Sequence, residues 1–107
     1  MNRLTELQQF LKEDPEDAFV KYALSLEYLR LNNLPEAGKI FSQLAENNPP
    51  YLPVFYQYGK FLEQTGDPGK AKMIYTKGME IASSQRNQKT WMELKEALSQ
   101  MEGEAEE

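Results

Sequence analysis

Apolar residues along this chain recur every three or four positions in stretches separated by proline, glycine and asparagine, and that rhythm predicts helices throughout. Over residues 2–13, Leu4, Leu7, Phe10 and Leu11 share a side, with Glu6, Gln8, Gln9 and Lys12 opposite. A helix over 17–31 carries two apolar stripes, one of Leu24, Tyr28 and Leu31 and another of Phe19, Tyr22, Leu26 and Leu29. A helix apolar on two faces is either covered on both or exposes a patch of the kind that marks an interaction site. Helix 2–13 or the last helix is the alternative cover for that second stripe. Further helices are expected from Pro35 to about Asn47, over 53–65 and over 68–82, with Trp91, Leu94, Leu98 and Met101 marking one stripe of a last helix over 86–101.

The breaks between them carry their own chemistry. Asp14 suits an N-cap, Pro15 a first helical position, and Glu16 and Asp17 a first turn facing the helix dipole. That capping role explains the acidic cluster without any acid–base chemistry, which would need burial to shift a carboxyl pKa. Asn32-Asn33 suit the left-handed conformation by which chains leave helices, Gly66-Asp67 reads as a turn before Pro68, and Pro49-Pro50 excludes helix from the residue before it. Ser83 to Lys89 reads as a polar connection, and Glu102 to Glu107, with no large apolar residue, as a disordered acidic tail.

Superimposed on the helical rhythm is a repeat of 34 residues. Laying 15–48 over 49–82 pairs Pro15 with Pro49, Val20 with Val54, Tyr22 with Tyr56, Ala37 with Ala71, Ile40 with Ile74 and Glu46 with Glu80. A fixed period in this range marks a helical solenoid, in which each unit buries its apolar face by stacking on its neighbours.

The two units resemble tetratricopeptide repeats. The family's leucine, small residue and aromatic of the first helix fall on Leu24, Ser25 and Tyr28, then on Tyr58, Gly59 and Leu62. Its alanine and aromatic of the second helix fall on Ala37 and Phe41, then on Ala71 and Tyr75. Small residues let two helices cross closely while large ones fill the space beside the crossing. Gly78 fits the same logic, since a glycine inside a helix costs about 1 kcal/mol unless close packing requires it. The pattern departs in two places: Lys21 and Phe55 replace the early tryptophan, and Ser83 stands where the second closing proline belongs.

The resemblance implies an all-α fold of five or six helices, tetratricopeptide-repeat hairpins stacked in a right-handed solenoid. It frames one domain over 1–101: an N-terminal helix at 1–14, repeats at 15–48 and 49–82, and a capping helix at 86–101. Helix 1–14 looks like the second helix of a preceding repeat, with Leu7 and Phe10 in its large-residue places. The family's first helices line a concave groove, so the resemblance puts Phe19, Tyr22, Leu26, Leu29 and Arg30 there, with Pro53, Tyr56, Lys60 and Gln64. Of these, Phe19, Tyr22, Leu26, Arg30, Tyr56 and Lys60 are the candidate protein-binding residues. The family's chaperone-binding branch grips a terminal carboxylate with Lys, Asn and Arg. Here those places hold Phe19, Ala23, Leu26, Pro53 and Gln57, so that clamp is missing and chaperone tails are not the expected ligand.

Composition narrows the function further. Among 107 residues there is no cysteine or histidine, which removes disulfides, the usual zinc ligands and the common nucleophile–base pairs. Twelve basic and 17 acidic side chains give a net charge of −5, which disfavours nucleic acid. No apolar run approaches the ~18 residues that span a membrane, and the first residues form no signal peptide. The expectation is a cytoplasmic scaffold-type module that binds a peptide or helix of another protein, with no catalytic residue, metal or cofactor. A homo-oligomeric assembly protein, a homodimer by default, is the alternative from another class.

Overall fold

The structure is a computed structural model that describes residues 2–106, with side chains described through Gly103. Six helices and no strand are present among the described residues: α1 (Arg3–Glu13), α2 (Ala18–Arg30), α3 (Leu34–Glu46), α4 (Val54–Gln64), α5 (Pro68–Ser84) and α6 (Gln88–Glu106). This is an all-α helical repeat fold. Chain contacts divide it into two compact units, Met1–Tyr51 and Leu52–Glu107, where the family resemblance frames one domain over 1–101. The division falls within a few residues of the repeat boundary, because hairpin packing concentrates contacts inside each unit.

In the first unit α2 packs against both α1 and α3. Its core is Leu7, Leu24, Ala37, Ile40, Phe41, Leu44 and Ala45, with Ser25 fully buried among them. In the second unit α5 packs against α4 and α6, and α6 also meets α4. Val54, Phe55, Ala71, Tyr75, Ala82 and Leu94 are fully buried there. Ala37, Phe41, Ala71 and Tyr75 therefore occupy the crossings that the small and large pattern assigns them.

Three turns share one construction. At each helix end the residue after the last turn is left-handed, Asn32 at φ 59°, Gly66 at 89° and Arg86 at 57°. The next N–H then donates back five residues at 2.8 Å: Asn33 to Tyr28, Asp67 to Leu62, Asn87 to Ala82. That same next residue caps the following helix, its side chain accepting from the N–H of Glu36, Lys70 and Thr90 at 3.5, 3.2 and 3.1 Å. One dipeptide thus closes a helix and opens the next, which is why the hairpins are tight.

Arg86 is the costly member of the set. A left-handed residue with a Cβ costs roughly 1–2 kcal/mol, whereas asparagine and glycine tolerate the region. Arg86→Gly is expected to stabilise the protein by about 0.5–1 kcal/mol after glycine's greater unfolded-state entropy is subtracted. Denaturant titration beside Asn32→Gly, which should gain less, checks this; an Arg86→Gly midpoint below wild type contradicts it.

The structure corrects three local expectations. Asp14 is the C-cap of α1 rather than an N-cap, and Asp17 caps α2, its carboxylate accepting from Val20 N–H at 3.1 Å. Pro15 and Glu16 accordingly form the turn between helices rather than a first helical turn. Phe10, placed in a large-residue core slot, is 51% exposed. The tail also differs: α6 continues through Glu106, so 102–106 are helical, while Glu107 lies outside the described residues. Glu and Ala are good helix formers, and a helix docked along its length carries a polar extension readily. Where serine replaces proline, α5 runs on to Ser84.

Candidate functional site

On α2 the second apolar stripe is only partly covered. Phe19 is 68% exposed, while Tyr22, Leu26 and Leu29 are half-buried. Spacings of three and seven residues put Phe19, Tyr22 and Leu26 on one helix face. Of the two expected covers, α1 packs on α2, yet Phe19 remains largely in solvent. What meets Tyr22 is Tyr51 from the loop after α3, their ring centroids 5.7 Å apart and tilted by 56°. Such aromatic pairs contribute about 0.5–1.5 kcal/mol beyond area burial. Burial, and then Tyr51, raises the Tyr22 phenol pKa; burial, and then the Asp17 carboxylate, raises that of Tyr51. Both rings stay neutral and present a polar tip above an apolar body.

Arg30, expected to reach a ligand, is committed locally. Its Nε donates to Glu27 Oε1 at 3.0 Å, and its Nη2 donates to the same oxygen. The hydrogen bond from Arg30 holds the Glu27 carboxyl below its ordinary pKa, so this nearly covered acid stays ionised beside its partner. Arg30 keeps most of its surface in solvent but shares its guanidinium with α2 itself.

The second unit gathers Tyr56 and Lys60 on α4. Lys60 Nζ lies 5.5 Å from the Tyr56 ring centroid and 3.8 Å from the Glu63 carboxylate. Glu63 in turn accepts the hydroxyl of Tyr75, buried on α5, and burial followed by this bond raises the Tyr75 pKa. Beside Tyr56, α6 closes a pocket of about 350 Å³ whose walls include Glu93, Glu96, Ala97 and Gln100. The pocket thus joins charge, an aromatic ring and a side-chain amide. No group of three His, Cys, Asp or Glu side chains placed to hold a metal ion is present among the described residues.

The candidate residues thus fall on two faces: Phe19, Tyr22, Leu26 and Arg30 on α2, and Tyr56 with Lys60 on α4. Sequence reasoning missed Tyr51, Glu27 and the Tyr75–Glu63 link. Tyr51 sits in a loop, outside any helical register, so periodicity cannot reach it. Glu27 and Arg30 did carry a signal, being three apart on one helix. So did Tyr75, whose hydroxyl distinguishes it from Phe41 at the equivalent place.

Comparison with known proteins agrees with this architecture. The sequence matches no protein-family model and no curated protein. Among solved structures, the chain resembles the crystal structure of a tetratricopeptide repeat domain protein from Salinibacter ruber, with 35% identity and a TM-score of 0.77 over 82% of this chain and 98% of that one. The solution structure of a tetratricopeptide repeat domain protein from the same organism gives 37% identity and a TM-score of 0.79, over 84% and 91% of the two chains. A Bordetella parapertussis protein shares the fold with a TM-score of 0.80 at 20% identity, over 97% of this chain and 90% of that one. No helix among the described residues is long and apolar enough to cross a membrane. Repeat spacing, hairpin packing and an identity of 35% across nearly the whole relative agree: this chain belongs to the tetratricopeptide repeat family.

Proposed function

We propose that this protein is a non-catalytic interaction module that holds a peptide or helical segment of another protein against the exposed faces of its first-position helices. Phe19, Tyr22, Leu26 and Arg30 supply the α2 face, and Tyr56 and Lys60 the α4 face. The single observation that carries the reading is Phe19, 68% exposed at the head of a stripe whose other members are half-buried. A phenylalanine in that position gains nothing for the fold. Burying it and its neighbours under a partner would remove an apolar patch from water, with Tyr22 and Tyr51 as rigid anchors. Family membership supports a protein partner, since stacked helical hairpins present extended surfaces rather than catalytic groups.

The test measures stability and binding on the same samples. Phe19→Ala should leave the unfolding midpoint within about 0.5 kcal/mol of wild type, because an exposed side chain contributes little to folding. It should still lose partners captured by wild-type bait, and Tyr56→Ala tests the α4 face in the same way. Light scattering across a concentration series separates the outcomes: a mass that rises for wild type and not for Phe19→Ala makes the partner a second copy. Capture unchanged by both substitutions places binding elsewhere and removes this reading.

A further inference from the structure

We propose that the pocket between α4 and α6 receives an arginine side chain carried on a basic segment of a partner protein. This rests on the reading of the α4 face above and names the chemistry it selects. Glu93, Glu96 and Gln100 stand three and seven residues apart, so they share one side of α6, with Ala97 between them. Together with Tyr56 they line a cavity of about 350 Å³ within the second unit. Both carboxylates are exposed, and neither joins an ion pair among the described residues. The lysines nearest along the helix do not pair with them: Lys95 lies over the Trp91 ring at 5.7 Å, and Lys89 makes no ion pair among the described residues.

The pocket therefore pairs an aromatic wall with uncompensated negative charge. The Tyr56 ring already attracts a cation, since Lys60 Nζ stands 5.5 Å from its centroid. A guanidinium is the group that uses every wall at once. Its plane stacks on the phenol ring, its fork bonds two carboxylates, and the Gln100 carbonyl accepts a further N–H. An ammonium is a point charge that cannot both stack and bridge. The net charge of −5 adds long-range attraction for a basic chain. Lys60, whose Nζ lies 3.8 Å from the Glu63 carboxylate, is a like charge beside Tyr56 that an incoming arginine meets.

Acetylated, amidated tetra-arginine is the probe, with tetralysine and tetraglutamate beside it. Each is titrated into the full chain at low ionic strength while backbone amide shifts are followed. Tetra-arginine is expected to shift Tyr56, Glu93, Glu96, Ala97 and Gln100 most, with tetralysine weaker and tetraglutamate inert. Glu93→Gln combined with Glu96→Gln should weaken tetra-arginine by about tenfold or more, since two charge-assisted bonds are lost. Lys60→Met should tighten it. Both glutamates are exposed, so an unchanged unfolding midpoint shows that the fold survives. The pair Glu46→Gln and Glu80→Gln removes the same charge from exposed sites elsewhere and should leave affinity within about twofold. Equal weakening by the two pairs, shifts centred elsewhere, or no binding overturns the proposal. The two readings fail separately. Partner capture that depends on Phe19 and Tyr56 without tetra-arginine binding sinks only the arginine pocket. Binding at Glu93 and Glu96 with capture indifferent to Phe19 and Tyr56 sinks only the broader reading.

Discussion

Gly59→Ala is expected to destabilise the protein by about 2 kcal/mol, against the usual rule that alanine improves a helix interior. A Cβ at position 59 would overlap the Tyr75 ring, entering the space of its Cε1, Cζ and Cδ1 atoms. That ring cannot swing aside. It is fully buried, and its hydroxyl is bonded to Glu63, one turn along α4 from Gly59 itself. Alanine gains about 1 kcal/mol of helix propensity, while overpacking a dense core costs typically 1–3 kcal/mol and sometimes more, so the clash wins. Tyr75→Leu should shrink the penalty, because it removes the atoms a new methyl would meet. A double-mutant cycle over Gly59→Ala and Tyr75→Leu, read by denaturant midpoints, should show coupling of about 1 kcal/mol or more. Additive effects would mean that the crossing of α4 and α5 has room for a methyl beside the Tyr75 ring.

The first unit solves the same crossing with different atoms. Ser25 stands at the small place and Phe41 at the large one, both fully buried, and the Ser25 hydroxyl donates to the Tyr22 carbonyl at 2.6 Å. Glycine goes with tyrosine and serine with phenylalanine, so the repeats conserve the space shared by two positions rather than either residue. This is why the crossings were legible from the chain alone. A 34-residue register predicts which residues meet, and volume complementarity follows from dense packing. Helix bounds agree to within one or two residues wherever proline, glycine or asparagine punctuates them. They fail at Ser83 and at the acidic tail, where no such residue stops the helix and length is set by docking instead.

The binding faces were less legible for a physical reason. Periodicity names the residues on one side of a helix but is silent on what a loop brings there. Tyr51 reaches Tyr22 from between two helices, and Glu27 takes the guanidinium of Arg30, so two expected ligand contacts are partly internal. The reverse holds for Glu93 and Glu96, whose place beside Tyr56 follows from the packing of α6 and from no pattern along the chain. α6 also carries Trp91, Leu94 and Leu98 at the spacing of the family's first-helix pattern, with Lys95 in the small-residue place. That register was available in the sequence. It was obscured because Ser83 and the polar stretch after it break the 34-residue count.

Leu94→Ala is expected to cost about 3 kcal/mol, more than Gly59→Ala. Leu94 is fully buried where α6 meets α5 and fills the space that Gly78 leaves by having no side chain. A Cβ built on Gly78 would stand 2.7 Å from Phe55 Cβ and 2.9 Å from Leu94 Cδ1. Truncation removes three heavy atoms from that seam. The remaining wall is Phe55 and α5 backbone, which cannot collapse into the gap, so a cavity term adds to the lost transfer energy. Met92→Ala, two residues away and 58% exposed, is the matched control and should stay within about 0.5 kcal/mol of wild type. Equal midpoints for the two variants would mean that α6 does not dock through Leu94. The consequence for binding follows from sequence position alone. Glu93 precedes Leu94 and Glu96 follows it by two, so the side chain that seats α6 also sets where its carboxylates stand. At temperatures where Leu94→Ala remains folded, tetra-arginine affinity should fall with both glutamates intact, and Met92→Ala should leave it unchanged.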